Sequence, residues 1–183
     1  MKKLIMAAAI VCAAVAAQAG TIKWKTASGY VVDLSGTKTA VSSALVYLFD
    51  SGTVAQSTLV KDFADNDGKI NLASYTYADT GSIASGAIAT GDGYDVADGS
   101  KNNVYFATLV GEELFISEAI DQDGPGTGKS KTVSFKPTVA SQKPALNANS
   151  GYVSSGWYTV PEPTSGLLLL LGVAGLALRR RRA

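Results

Sequence analysis

Histidine is absent from this 183-residue chain, and cysteine occurs once, as Cys12. Without histidine there can be no Ser-His-Asp triad, no histidine-ligated zinc and none of the commonest proton shuttle near neutral pH. With its one cysteine so close to the N-terminus, the rest of the chain has neither a disulfide framework nor thiol catalysis open to it. No Asn-x-Ser/Thr sequon occurs, although abundant serine and threonine leave O-linked modification open. Long apolar runs are confined to the two ends, and nothing between them reads as a long helix-period segment.

The formal net charge of +1 hides an uneven distribution. Of 16 basic residues, Lys2, Lys3 and the four arginines 179–182 lie at the ends, leaving 10 in residues 20–160. Of 15 acidic residues only Glu162 lies outside that stretch, leaving 14, so the body carries 10 − 14 = −4. A body of that sign repels phosphate backbones, which argues against nucleic acid as a partner.

At the front, Met1-Lys2-Lys3 precedes an apolar stretch to Ala17, and Ala17-Gln18-Ala19 supplies a small-x-small site. Basic start, apolar core and cleavage site in that order read as a secretory signal helix, residues 1–19, cut after Ala19 and delivered to the secretion translocon. A lipoprotein reading of Cys12 is the alternative, but Ala9-Ile10-Val11 lacks the small residues a lipidated cysteine needs before it. Residues 20–159 then form one domain, large enough for a real core.

The last 24 residues carry the clearest order. Pro161-Glu162-Pro163 and two hydroxyl residues lead into Gly166, Leu167, Leu168, Leu169, Leu170 and Leu171, and the apolar run continues to Leu178. Arg179, Arg180, Arg181 and Arg182 follow at once. As a helix, the 13 apolar residues satisfy their own backbone and expose only hydrocarbon. They reach about 20 Å, short of the roughly 30 Å hydrocarbon core, so a span needs the flanking residues and snorkelling arginines. The arginines place the C-terminus on the cytoplasmic side, in agreement with a signal that exports the body. A buried core helix is the competing reading, weakened by the lack of any polar face and by the arginine cluster.

Pro161-Glu162-Pro163, a short spacer, a Leu/Gly/Ala run and terminal arginines resemble the PEP-CTERM sorting signal of Gram-negative bacteria. The resemblance implies that an exosortase, a membrane enzyme, cuts near Pro161-Glu162-Pro163 and that the body goes to the cell surface or polymer matrix. The opening Thr21-Ile22-Lys23-Trp24 and the close Ser155-Gly156-Trp157-Tyr158 are also similar to some short proteins of this kind, which supplies no activity.

The body alternates short β-prone segments with Gly, Ser, Asn and Asp. Expected strands are 21–25, 43–49, 71–77, 82–90, 131–136 and 151–158, with a hairpin of 103–110 and 113–117 about a Gly111-Glu112 turn. Residues 121–128 read as a long turn and 140–150 as an extended crossing. This pattern predicts an all-β body, a single antiparallel β-sandwich, flanked by the signal helix and the apolar tail helix. Trp24 and Trp157 are expected in its core, on strands near each other.

Candidate sites in the body have plain structural competitors. Asp65-Asn66-Asp67-Gly68 looks like the middle of a calcium loop, but with Gly68 as sixth residue the end ligands fall on Phe63 and Ser74. Asp65 and Asp67 are therefore weak metal candidates beside an Asx/Gly turn between strands. Asp92, Asp95, Asp98, Asp121 and Asp123 form further acidic turns open to weak calcium binding. Tyr30, Tyr75, Tyr77, Tyr94, Tyr152, Trp157 and Tyr158 are the residues from which a sugar-stacking surface would be built, though strand aromatics more often fill cores. Acid–base catalysis would need pairs such as Glu112 with Glu113 or Asp92 with Asp95, and neighbours on a strand point apart.

These features predict an exported, non-enzymatic surface or exopolysaccharide-associated matrix protein, structural or adhesive, with no cofactor. Its partners are the translocon, membrane lipid before processing, an exosortase-type enzyme and, in the matrix, polysaccharide. The alternatives are a secreted carbohydrate-binding module and a permanently tethered surface domain.

Overall fold

The computed structural model describes residues 19–37, 39–90, 93–137 and 146–161. Both expected flanking helices, and the part of the expected crossing before residue 146, lie outside these residues. The strands are β1 (Ala19–Thr26), β2 (Ser43–Asp50), β3 (Asp79–Ala84), β4 (Ala87–Thr90), β5 (Tyr94–Ala97), β6 (Lys101–Val110), β7 (Glu113–Ile116), β8 (Ile120–Asp123), β9 (Ser130–Phe135), β10 (Leu146–Asn147) and β11 (Gly156–Thr159). A helix, α1 (Gln56–Asp65), follows β2.

β1, β5 and β9 form a three-stranded sheet in the order β5-β1-β9. The other strands form an eight-stranded sheet, β10-β11-β7-β6-β2-β3-β4, with β8 also against β6. β7 and β8 share one edge of β6, covering its two halves. Between them the Ser117 N–H donates to the Phe106 carbonyl and the Ser117 hydroxyl accepts from the Phe106 N–H, each at 2.9 Å, so the ladder is bridged where the strand breaks.

The centre of the large sheet is buried on both faces. Val104 and Phe106 of β6, Phe115 of β7 and Trp157 of β11 point to the small sheet, where Ile22, Trp24, Val133 and Phe135 meet them. The alternate residues Tyr105, Ala107, Leu114 and Tyr158 point to the opposite face, where Leu59, Val60 and Phe63 of α1 cover them. The molecule therefore has three layers, small sheet, large sheet and helix, in place of the expected two-layer sandwich. A strand buried on both sides carries no polar alternation, and the unbroken run Val104-Tyr105-Phe106-Ala107-Thr108 is buried throughout.

Several expectations change with it. Two pairings, β1–β9 and β10–β11, are parallel, so the β-structure is mixed. α1 forms because Leu59, Val60 and Phe63 fall on one helical face, a spacing hidden in a ten-residue element. The expected strand 71–77 contains instead a 3-10 turn, Leu72–Ser74, whose Ala73 N–H is held by the Asn71 side chain. The expected strand 82–90 is the β3–β4 hairpin, broken at Ser85-Gly86. The expected strand 151–158 is strand only from Gly156, as β11, which ends at Thr159. β5 and β8 were not expected; β8 takes the first three residues of the expected long turn. The predicted hairpin of β6 and β7 is present at the expected place.

Trp24 and Trp157 both lie in the small-sheet core, but on different sheets. Phe106 and Phe115 connect them through ring contacts of 6.5, 5.4 and 5.3 Å. Trp24 also donates its indole N–H to Asp79 at 2.8 Å. Its ring edge passes so close to Gly81 that an added Cβ there would sit 3.3 Å from the tryptophan and 2.9 Å from the Ala89 carbonyl. A side chain at Gly81 is excluded by this approach.

Candidate functional site

β11 delivers the C-terminal tail. It lies between β7, antiparallel, and the two-residue β10, parallel. Its side chains alternate, Trp157 into one core and Tyr158 into the other, and both are fully buried. The Trp157 indole N–H donates to the Asp33 carbonyl at 2.8 Å, tying the strand to the loop after β1. The Tyr158 hydroxyl donates to the Ser154 carbonyl and its ring stacks on Tyr152 at 6.0 Å. Val160 still packs against the helix-side core, whereas Pro161 is exposed. A proline has no N–H for a ladder, so pairing stops where the tail begins.

The end of the body from which the tail leaves is set by the register. Tyr158 pairs with Leu114, and Leu109 with Leu114, so Thr159 and Pro161 emerge beside the β6–β7 turn and its Glu112 and Glu113. The C-terminus of α1 arrives at the same end, with Gly68 beside the Glu112 carbonyl. Glu112 is exposed in the turn, and Glu113 is half-buried as the first residue of β7.

Residues 159–182 match the family model of the PEP-CTERM protein-sorting motif. The tail carries a PEP-CTERM sorting motif. The match covers 24 residues and begins at Thr159, the last residue of β11, so the PEP-CTERM segment starts where the folded body stops. Such a motif implies an exported protein, membrane passage before processing, and processing by an exosortase-type membrane enzyme. Comparison with curated proteins and with solved structures gave no match.

Of the tail residues singled out in the sequence, Pro161 is described and exposed. Glu162, Pro163, the apolar run and Arg179 to Arg182 lie outside the described residues, as does Ala17. Ala19 is the first residue of β1, paired with Ala97, and its carbonyl accepts from the Gly128 N–H at 3.2 Å. A cut after Ala19 removes that one pair and leaves the other register pairs of β1 in place.

The metal candidates resolve into other roles. Asp65 is ion-paired with Lys61 one helical turn back. Asn66, Asp67 and Gly68 end α1: their N–H groups donate to the Asp62, Ala64 and Phe63 carbonyls, with Asp67 and Gly68 at φ 52° and 78°. The segment is a helix C-cap, where left-handed φ favours glycine, and not a turn between strands. Asp95 accepts from the Thr21 hydroxyl at 3.0 Å on β5. Asp121 and Asp123 lie on β8 opposite Asn103 and Lys101, and Asp92 lies outside the described residues. Among the described residues no three acidic or thiol side chains converge as a metal site.

The seven aromatics do not make one platform. Trp157 and Tyr158 are core residues. Tyr152 is half-buried; its hydroxyl accepts from Gln56 at 3.0 Å, and burial pushes its pKa up to about 12. Tyr75 donates to Asp62 at 2.7 Å and is pushed up to about 12, by burial first and then by that carboxylate. Tyr94 is pushed to about 12 by burial, with Asp50 and Asp79 adding to it. Tyr30 lies under the Lys136 ammonium at 5.9 Å, and Tyr77 is 44% exposed. The sequence missed a different feature: Leu45, on the helix-side face of β2, is 65% exposed. Its alternation with buried Val46 and Leu48 was legible, but which face the helix leaves uncovered was not.

Proposed function

We propose that the chain is a substrate of sorting and not an enzyme. Residues 1–19 direct export, residues 166–178 hold the body at the inner membrane, and Arg179 to Arg182 keep the end on the cytoplasmic side. An exosortase-type enzyme then cuts near Pro161-Glu162-Pro163, and the body, residues 20–159, acts structurally or adhesively at the cell surface or in the exopolysaccharide matrix. The observation that carries this reading is the abutment of motif and fold at Thr159. A cut beyond β11 leaves every strand with the released body, so processing costs no core residue.

The test compares the intact chain with one carrying Pro161→Ala, Glu162→Ala and Pro163→Ala in a host that has the sorting enzyme. Body mass and cell fraction are read for both. Loss of the tail and release from the membrane in the intact chain alone supports the proposal. If both keep the arginines and stay in the membrane, the tail is a permanent anchor and the sorting reading fails.

A further inference from the structure

A shallow cavity of about 270 Å³ lies on the helix side of the large sheet, lined by Leu45, Tyr47, Ile70, Asn71, Leu72 and Leu109. Tyr77 lies beyond it toward the Asp50 end of β2, since Leu48 pairs with Asp79, with its ring edge-on to Tyr47 at 5.4 Å. Leu45 and Tyr77 are two of the few large apolar side chains the described residues expose, at 65% and 44%.

The groove sits at the end from which the tail leaves. Tyr158 pairs with Leu114, Leu114 with Leu109, and Val46 with Thr108, which sets Leu45 beside Leu109. This row crosses β11, β7, β6 and β2, and Pro161 follows Tyr158 by three residues. With about 4.8 Å between strands and 3.3 Å per residue, Leu109 and Leu45 lie roughly 14 to 18 Å from Pro161. Beyond Pro161 the apolar run begins at Gly166, at most about 17 Å further along an extended chain. A body held in the membrane by that run therefore keeps this end close to the lipid.

We infer that the groove rests on the lipid surface while the tail holds the chain, with Leu45 entering the headgroup region; this rests on the tail acting as a membrane anchor. A leucine exposed on a tethered end suits that interface. Charge selects the lipid. Around the C-terminus of α1 and the β6–β7 turn, Glu112, Glu113, Asp65 and Asp67 outnumber Lys61 and Lys69, so a zwitterionic surface admits this end and an anionic one opposes it.

The test uses the exported chain with its tail, which has no cysteine once the signal segment is gone. Leu45→Cys, or Thr53→Cys in the exposed turn at the far end of β2, is labelled with an environment-sensitive dye and reconstituted in phosphatidylcholine vesicles. Headgroup-nitroxide lipid should quench the label at position 45 several-fold more than at 53, and phosphatidylglycerol should weaken that quenching. Equal quenching at both positions overturns the inference. So does a label at 45 shielded from both lipid and aqueous quenchers, which means that a protein surface covers the groove. If the chain fails to float with vesicles, the anchor reading falls and the docking with it; flotation with an unquenched label removes the docking alone.

Discussion

The face of the large sheet under β1, β5 and β9 is filled by Trp24, Phe106, Phe115, Phe135 and Trp157, while the face under α1 is filled largely by Tyr105, Tyr158, Leu59 and Phe63. On the first side, rings meet rings, tilted for Phe106 and Phe115 at 5.4 Å and edge-on for Phe106 and Phe135 at 5.0 Å and 82°. On the second, tyrosine hydroxyls reach past the helix to loop carbonyls, Tyr105 to Val54 at 2.8 Å and Tyr158 to Ser154. A sheet covers a sheet continuously, so hydrocarbon and aromatic edges fill that layer. A ten-residue helix covers only part of a face, and the remainder is closed by side chains with an apolar body and a polar tip. The uncovered remainder, around Leu45, is the groove beside the tail.

Trp157→Ala should weaken the aromatic side most, since Trp157 joins that layer and also holds the loop at Asp33. A loss of about 3 to 5 kcal/mol is expected in denaturant unfolding. A smaller loss would mean that β11, and with it the tail, is not anchored by the core. On the helix side, Leu59→Ala should cost about 2 to 4 kcal/mol. Hydrogen exchange should quicken in α1 and leave β1 and β9 protected; equal quickening in both layers would show that the two faces open as one.

Tyr105→Phe keeps the ring and strands the Val54 carbonyl, so about 1 kcal/mol should be lost. Phe106→Tyr would put a hydroxyl among the rings of Trp24, Phe115 and Phe135, and it should destabilise where Tyr105 stabilises. A separate effect concerns pH. Tyr75, Tyr94 and Tyr152 are pushed up to about 12 by burial, against 10 in the unfolded chain, and burial also raises Tyr105 and Tyr158. The unfolded chain therefore releases these protons first as pH rises. Stability is fully present below pH 10 and declines between 10 and 12. With no histidine in the chain, thermal melts should not shift measurably between pH 6 and 9.

Apolar runs bounded by turn residues made β2 and the β6–β7 hairpin legible, and alternation made β1 and β9 legible, because one exposed face leaves polar residues at every second position. The same rule fails where both faces are covered, as in β6, and where an element is short. α1 was hidden because three apolar positions over ten residues resemble the scatter of a loop, and its C-cap resembled a calcium turn because both need a left-handed glycine. Parallel pairing of β1 with β9 joins residues more than a hundred apart, and no local pattern encodes which strands so distant become neighbours.

Order along the chain determined the tail: a proline pair, an apolar run and four arginines act through sequence position and hydrophobicity, which need no fold to be read. The same holds for the negative body and for the chemistry that missing histidine and cysteine forbid. Tertiary structure alone decided that the body has three layers, that Trp157 and Tyr158 are core and not platform, and that the motif begins where β11 ends. These depend on which faces become covered, and coverage is a property of packed neighbours that a single strand cannot carry.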